Sequence, residues 1–305
     1  MKTIARKELR DALRNHWLQG YALLLGLLGL VVAMAATRGA AGLGLQSFGR
    51  TAASLSNLCL LLAPLVTLAL AAASIAGERD RGTLERLLAQ PLERRDLLLG
   101  KAIGLGVSLI LATIVGFAPA AVMLAGVAGP MLLLRYAIFP LLAVLVIGAL
   151  LGVGMLVSVR SHSGGQAQAR AVFLWFAFVM LYDLILMGTL LAASIPAGVL
   201  AGLLLLNPVS SGRLLVVLAL EGDLYLMGPA GAWLVETFSS TGTALLLVSS
   251  LALWTVVSLL LALWSFRLRR HTGGGFRPLR QLLARLPGRA RSRPADGTKL
   301  ERIRT

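Results

Sequence analysis

Long apolar runs separated by short polar stretches set the pattern of this 305-residue chain. Six runs have the roughly 20 residues that cross a hydrocarbon core of ~30 Å: Trp17 to Ala36, Leu55 to Ile75, Ala102 to Leu124, Ala137 to Val157, Ala171 to Ala192 and Ala244 to Phe266. The pattern predicts an all-α polytopic membrane protein with six transmembrane helices. A further apolar piece, Ile195 to Leu206, has 12 residues and ends at Asn207-Pro208, which suits an interfacial or re-entrant segment better than a crossing. Ahead of the first span, residues 2–14 carry Arg6, Lys7, Arg10 and Arg14 around a stripe of Ala5, Leu9, Ala12 and Leu13. That spacing predicts an amphipathic helix in the interface, its stripe toward acyl chains and its cations toward lipid headgroups.

Charge orients the spans. The chain is 57% hydrophobic and only 14% charged, yet its net charge is +16. With six spans and the N-terminus inside, 25 of the 29 lysines and arginines fall on the cytoplasmic side, and only Arg38, Arg50, Arg135 and Arg213 outside. The positive-inside rule supports that orientation, with both termini cytoplasmic in a bacterial inner membrane and residues 193–243 external. Nucleic acid is not the implied partner, because the cations lack interleaved aromatics or a reading fold. Ala33-Met34-Ala35 looks like a signal-peptidase site, but the run before it exceeds the roughly 7–15 apolar residues of a signal peptide, so no cleavage is expected. Residues 1–270 then form one transmembrane domain, and 271–305 a basic cytoplasmic tail, disordered in part.

Candidate chemistry is sparse. Gly44 to Thr51 nearly matches a phosphate-binding loop, but it has Arg50 in place of lysine and no preceding strand. Nucleotide binding by this chain is therefore not expected, and energy has to come from another subunit. His16, His162 and His271 fit no metal-ligand spacing, and the single cysteine, Cys59, lies in an apolar run, so neither a catalytic nor a metal site is expected. Asp183 is the one acid near the middle of a span. An ionised carboxylate there faces a cavity, a partner group or a helix interface, which leaves open a substrate or conformational pathway and a packing role. Gly148 and Gly152 form a small-xxx-small pair suited to close helix packing. Residues 193–243, with Arg213, Glu221, Asp223 and Glu236 among apolar runs, are too long and apolar for a mere connector.

The densest charge cluster outside the tail runs from Gly77 to Lys101, between two spans. Within it, Gly77-Glu78, Gly82-Thr83-Leu84-Glu85, Gln90-Pro91 and Arg94-Arg95-Asp96-Leu97-Leu98-Leu99-Gly100-Lys101 resemble the first intracellular loop of type-two ABC exporter permeases. Ile4-Ala5-Arg6-Lys7-Glu8-Leu9 resembles that family's N-terminal elbow helix. Trp175-Phe176 with Asp183, the run from Leu203 to Pro208, and Arg213-Leu214 are most similar to NosY-like permeases, the membrane subunits of an ABC complex that helps mature the copper site of nitrous oxide reductase. The likeness covers residues 1–270, and the basic tail departs from it.

The resemblance implies a permease homodimer with a separate cytoplasmic ATPase that binds the ATP, no cofactor in this chain, and an external copper-assembly partner. The loop's own chemistry agrees: Leu84, Leu87 and Leu88 share one face of a short helix that stops at Pro91, and Glu78, Arg81, Gly82, Thr83, Glu85 and Arg86 frame it. Such a stripe suits insertion into a groove on the ATPase, with the charges setting register. An efflux permease for a drug, lipid or ion would use the same loop, and so would a mechanical or scaffolding subunit that passes no solute.

Overall fold

The computed structural model describes residues 2–84, 93–128, 130–192 and 195–268, and every regular element among them is helical. In order they are α1 (Lys2–Leu13), α2 (His16–Asp80), α3 (Arg94–Ala128), α4 (Pro130–Arg160), α5 (Gly164–Phe176), a π-helix (Ala177–Leu181), α6 (Tyr182–Ala192), α7 (Ala197–Leu206), α8 (Pro208–Glu221), a 3-10 turn (Tyr225–Met227) and α9 (Pro229–Leu268). Polar side chains mark the starts. Asn15 Oδ1 accepts the Trp17 N–H at 2.8 Å to open α2, and Ser163 Oγ accepts that of Gln166 at 3.2 Å to open α5.

Five stretches are long and apolar enough to cross a membrane: Asn57–Asp80, Arg94–Met123, Ile138–Arg160, Gly164–Thr189 and Pro229–Leu268. They coincide with five of the six predicted spans. Several run further than the apolar pattern, because helical hydrogen bonding continues where arginines end the segment at the interface. The first predicted span corresponds to the shorter apolar helix His16–Val31.

The long helical run of α2 turns back on itself. Tyr21 Oη meets the Thr113 hydroxyl of α3 at 3.0 Å and also bonds the Cys59 thiol. In a straight helix Tyr21 and Cys59 would lie about 57 Å apart at 1.5 Å per residue. Two limbs therefore stand side by side, His16–Val31 and Asn57–Asp80. The residues of the phosphate-loop lookalike, Gly44 to Thr51, lie between them in helical backbone.

Contacts give the direction of each helix. Glu78 meets Lys101 while Cys59 and Thr113 share Tyr21, so the second limb of α2 runs antiparallel to α3. The Ile75 and Ala76 amides bond Ser158 Oγ at 2.9 and 3.0 Å, and Gly154 packs on Leu68 and Ala71, so the same limb runs parallel to α4. Arg94 donates to the Phe266 carbonyl at 3.2 Å, and Arg160 Nε to Ser265 Oγ at 3.3 Å. One end of the bundle thus gathers α1, the end of α2, the start of α3, the end of α4, the start of α5 and the end of α9. We call it the loop face.

The small residues of α4 are used within the chain. A Cβ at Gly148 would lie 3.4 Å from Thr255 Oγ1, and one at Gly152 would collide with Ser258 Oγ, both on α9. This is the close approach that replaces hydrophobic driving force in lipid.

At the opposite end, α7 and α8 turn by 111° at Asn207. Trp233, early in α9, stacks on Gly198, early in α7, so the segment leaves near where it entered. Neither helix is long enough to cross alone, in keeping with the interfacial or re-entrant segment expected for Ile195 to Leu206. The apolar pattern of α9 conceals a break at Ser239, whose φ of 62° separates Pro229–Phe238 from the span proper.

Candidate functional site

Two polar centres stand out in this otherwise apolar bundle, one on the loop face and one at the re-entrant elbow.

On the loop face, Lys101 Nζ lies 2.9 Å from Glu8 Oε2 and 2.9 Å from Glu78 Oε1. The lysine side chain is only 3% exposed, and both carboxylates are largely covered. Three elements meet in that clasp: α1 through Glu8, the end of α2 through Glu78, and the start of α3 through Lys101. The cavity of about 620 Å³ beside the clasp is lined by charges of both signs, Lys7 and Arg81 together with Asp11. Burying the charges of the clasp is costly, and the pairing is what offsets it.

The approach of α1 depends on Gly104. A Cβ there would stand 2.5 Å from the Ala5 carbonyl oxygen and 2.7 Å from Glu8 Cβ, so only glycine lets α1 lie on α3 and carry Glu8 to Lys101. The stripe of α1 is turned partly inward as a result. Ala12 is buried against the bundle, while Leu13 is 41% exposed and Arg6, Lys7, Arg10 and Arg14 are solvent-exposed. Sequence periodicity gives the stripe's existence; Gly104 gives its actual partner, the helix α3.

Beyond Glu78 the chain is held to the α4–α5 turn. Arg79 donates to the Ser161 carbonyl, and the Gly164 N–H donates to Asp80 Oδ2 at 2.6 Å. Gly82 then takes a left-handed φ of 67°, ending the helix, and Thr83 Oγ1 donates to the Glu78 carbonyl at 3.2 Å. Arg81 and Gly82 are exposed and Thr83 half-buried. Two residues of the docking set face inward instead. Glu78 is bound into the clasp, and Leu84 is 7% exposed within the chain's own core. Glu85, Arg86, Leu87, Leu88 and Pro91 lie outside the described residues, as does the tail 271–305.

At the elbow, Arg213 Nη1 of α8 donates to Asp183 Oδ2 of α6 at 2.7 Å. Both side chains are about one-third exposed. Asp183 therefore has the partner that its position demanded. Around the pair, Tyr182 Oη donates to the Leu203 carbonyl, Asn207 Nδ2 to the Phe178 carbonyl at 2.7 Å, and Ser250 Oγ to the Leu205 carbonyl at 2.9 Å. Phe178 lies in the π-helix, whose wider turn leaves carbonyls outside the ordinary ladder. The elbow is thus pinned to the π-helix, α6 and α9, in apolar surroundings where an unsatisfied backbone group is costly.

Neither pairing is legible locally. Glu8 and Lys101 are 93 positions apart, Asp183 and Arg213 are 30 apart, and the topology count sets Arg213 aside as an external charge. The available signal was the rarity of charge near apolar segments, which obliges each such group to find a partner.

The model of the ABC-2 family transporter proteins matches residues 2–270. Two curated relatives carry the name "Probable ABC transporter permease protein NosY". The one from Pseudomonas aeruginosa is 37% identical over 273 residues, covering 88% of this chain and 98% of the relative. The one from Stutzerimonas stutzeri is 38% identical over 272 residues, covering 87% and 97%.

Proposed function

The chain belongs to the ABC-2 family of transporter proteins as a multi-pass permease subunit, and from that premise we propose that it converts ATP hydrolysis by a separate ATPase into movement of its spans. On this reading the loop face is cytoplasmic, the membrane is a bacterial inner membrane, two copies work together, and the output serves maturation of the nitrous oxide reductase copper site through an external copper-assembly partner. The last step rests on the likeness to NosY-like permeases.

The observation that carries the coupling role is the Lys101 clasp. Glu78 stands at the start of the stretch from Gly77 to Lys101 and Lys101 at its end, so the two ends of the loop close on one ammonium that also holds α1. Displacement of the loop by a moving ATPase acts on three elements at once.

Arg81, together with Leu87 and Leu88, is the surface to alter, because Leu84 supports the permease itself. Arg81→Glu combined with Leu87→Asp should abolish co-purification of the ATPase and leave the permease monodisperse. Retention of the ATPase by that variant would reject the docking surface. Transport measured in vesicles holding both subunits separates solute export from purely mechanical coupling.

A further inference from the structure

A groove of about 380 Å³ lies between α4, α5 and α9, at the lower end of the roughly 300–1,000 Å³ range of ligand pockets. Its wall is apolar, formed by residues such as Val157, Leu174, Trp254 and Leu261, and it is closed at depth by Phe178 and Trp254, whose rings meet edge to face at 5.9 Å. Its loop-face end is different: Arg160 and Arg170 line it there. From Arg170 to Phe178 the groove follows α5 for about 12 Å, at 1.5 Å per residue.

We propose that this groove holds one anionic glycerophospholipid, its phosphate on Arg160 and Arg170 and the upper part of one acyl chain against Leu174, Phe178 and Leu261. Two guanidiniums at the mouth of an apolar slot match the two halves of such a lipid. Basic pockets between transmembrane helices at the inner leaflet are suited to anionic headgroups, whereas a choline headgroup brings its own cation. Arg160 Nε donates to Ser265 Oγ at 3.3 Å, and Arg170 Nη1 donates to the Arg160 carbonyl and to Ser161 Oγ, each at 3.3 Å. Asp80, the carboxylate next to this turn, accepts the Gly164 N–H at 2.6 Å.

The placement gives the lipid a consequence. Arg160, Ser161 and Gly164 belong to the turn that receives Arg79 and Asp80 from the end of α2. An anion bridging Arg160 and Arg170 stiffens the platform from which the loop departs. This regulatory step rests on the coupling role above; the binding site does not.

Native mass spectrometry of the detergent-purified full chain, with phosphatidylglycerol or phosphatidylcholine added, tests the site. The wild type should retain phosphatidylglycerol at least five-fold better than phosphatidylcholine. Arg160→Gln with Arg170→Gln, and separately Leu261→Trp, which fills the groove, should each remove that preference. Arg160→Lys with Arg170→Lys should keep part of it, and Arg267→Gln all of it. Equal retention of both lipids, undiminished phosphatidylglycerol in the glutamine and tryptophan variants, or full competition by free glycerophosphate would overturn the proposal. So would a change of oligomeric state in the Leu261 variant with lipid retention intact, which would assign the groove to a second copy. Retention of the ATPase by Arg81→Glu with Leu87→Asp, with lipid preference intact, would count against the coupling role alone.

Discussion

Asp183 and Arg213, separated by 2.7 Å, join α6 to the inner part of the re-entrant segment. The pair is more covered than a surface salt bridge and less covered than a core one. Removing one partner should cost about 1–3 kcal/mol, between the values for exposed and fully buried pairs. Asp183→Asn and Arg213→Gln should each lower the melting temperature of the purified permease by several degrees, and the exchange Asp183→Arg with Arg213→Asp should recover more than half of the loss. Two silent single variants would show that the pair does not hold the elbow.

The clasp predicts a different pattern. Lys101→Met strands two buried carboxylates, and leaving a buried charge uncompensated costs about 3–5 kcal/mol. Adding Glu8→Gln and Glu78→Gln removes the stranded charge, so the triple variant should regain most of the stability. If the clasp transmits force, that triple variant should still bind the ATPase yet fail to have its hydrolysis stimulated. Stimulation equal to wild type in a stable triple variant would remove the clasp from the coupling path.

Hydrocarbon thickness leaves a plain signature in the chain, which is why runs such as Ala137 to Val157 announce their helices without any knowledge of partners. The break at Asn207 was equally plain, since 12 apolar residues ending at Asn207-Pro208 are too few to cross alone. What the pattern cannot carry is which face of a polar stretch turns inward. Charge alone puts Glu78 on the docking surface, whereas α1, laid over Gly104, brings Glu8 beside Lys101 and draws Glu78 into the same cluster. Leu84 likewise reads as one position of an apolar stripe, and only the structure shows it buried within this chain's own core. Asp183 declared its need for a partner but not the partner's name, because no local rule links it to Arg213 across a helical bend.

Gly104 and Gly152 should answer differently to the same change. At Gly104 an added methyl meets the Ala5 backbone carbonyl at 2.5 Å, which no rotamer can relieve, so Gly104→Ala should displace α1 and cost about 1–3 kcal/mol by overpacking. At Gly152 the nearest obstruction is the Ser258 hydroxyl, a side chain. Gly152→Ala should therefore be destabilising alone and largely rescued by Ser258→Gly, as thermal unfolding of the two variants will show. Absence of rescue would mean that α4 and α9 are held apart by backbone contact, such as that with the Thr255 carbonyl.

Asn207 performs two tasks with one amide. Its Oδ1 accepts the Val209 N–H at 2.9 Å and so caps α8, while its Nδ2 donates to the Phe178 carbonyl at 2.7 Å and ties the elbow to the π-helix. Asn207→Asp keeps the cap and loses the donor, leaving a carboxylate facing a carbonyl. Asn207→Ser keeps a capping oxygen but is too short to hold both partners. Asn207→Ala loses both functions, at about 0.5–2 kcal/mol for the cap and about 1–3 kcal/mol for a buried carbonyl left unsatisfied. Hydrogen exchange across residues 197–221 should therefore rise least in Asn207→Ser. It should rise strongly in Asn207→Asp and in Asn207→Ala, with the increase extending to the amides around Phe178. If Asn207→Asp protected the elbow as well as the wild type does, the bond to Phe178 would not be what holds the re-entrant segment at depth, and Tyr182 and Ser250 would have to carry it alone.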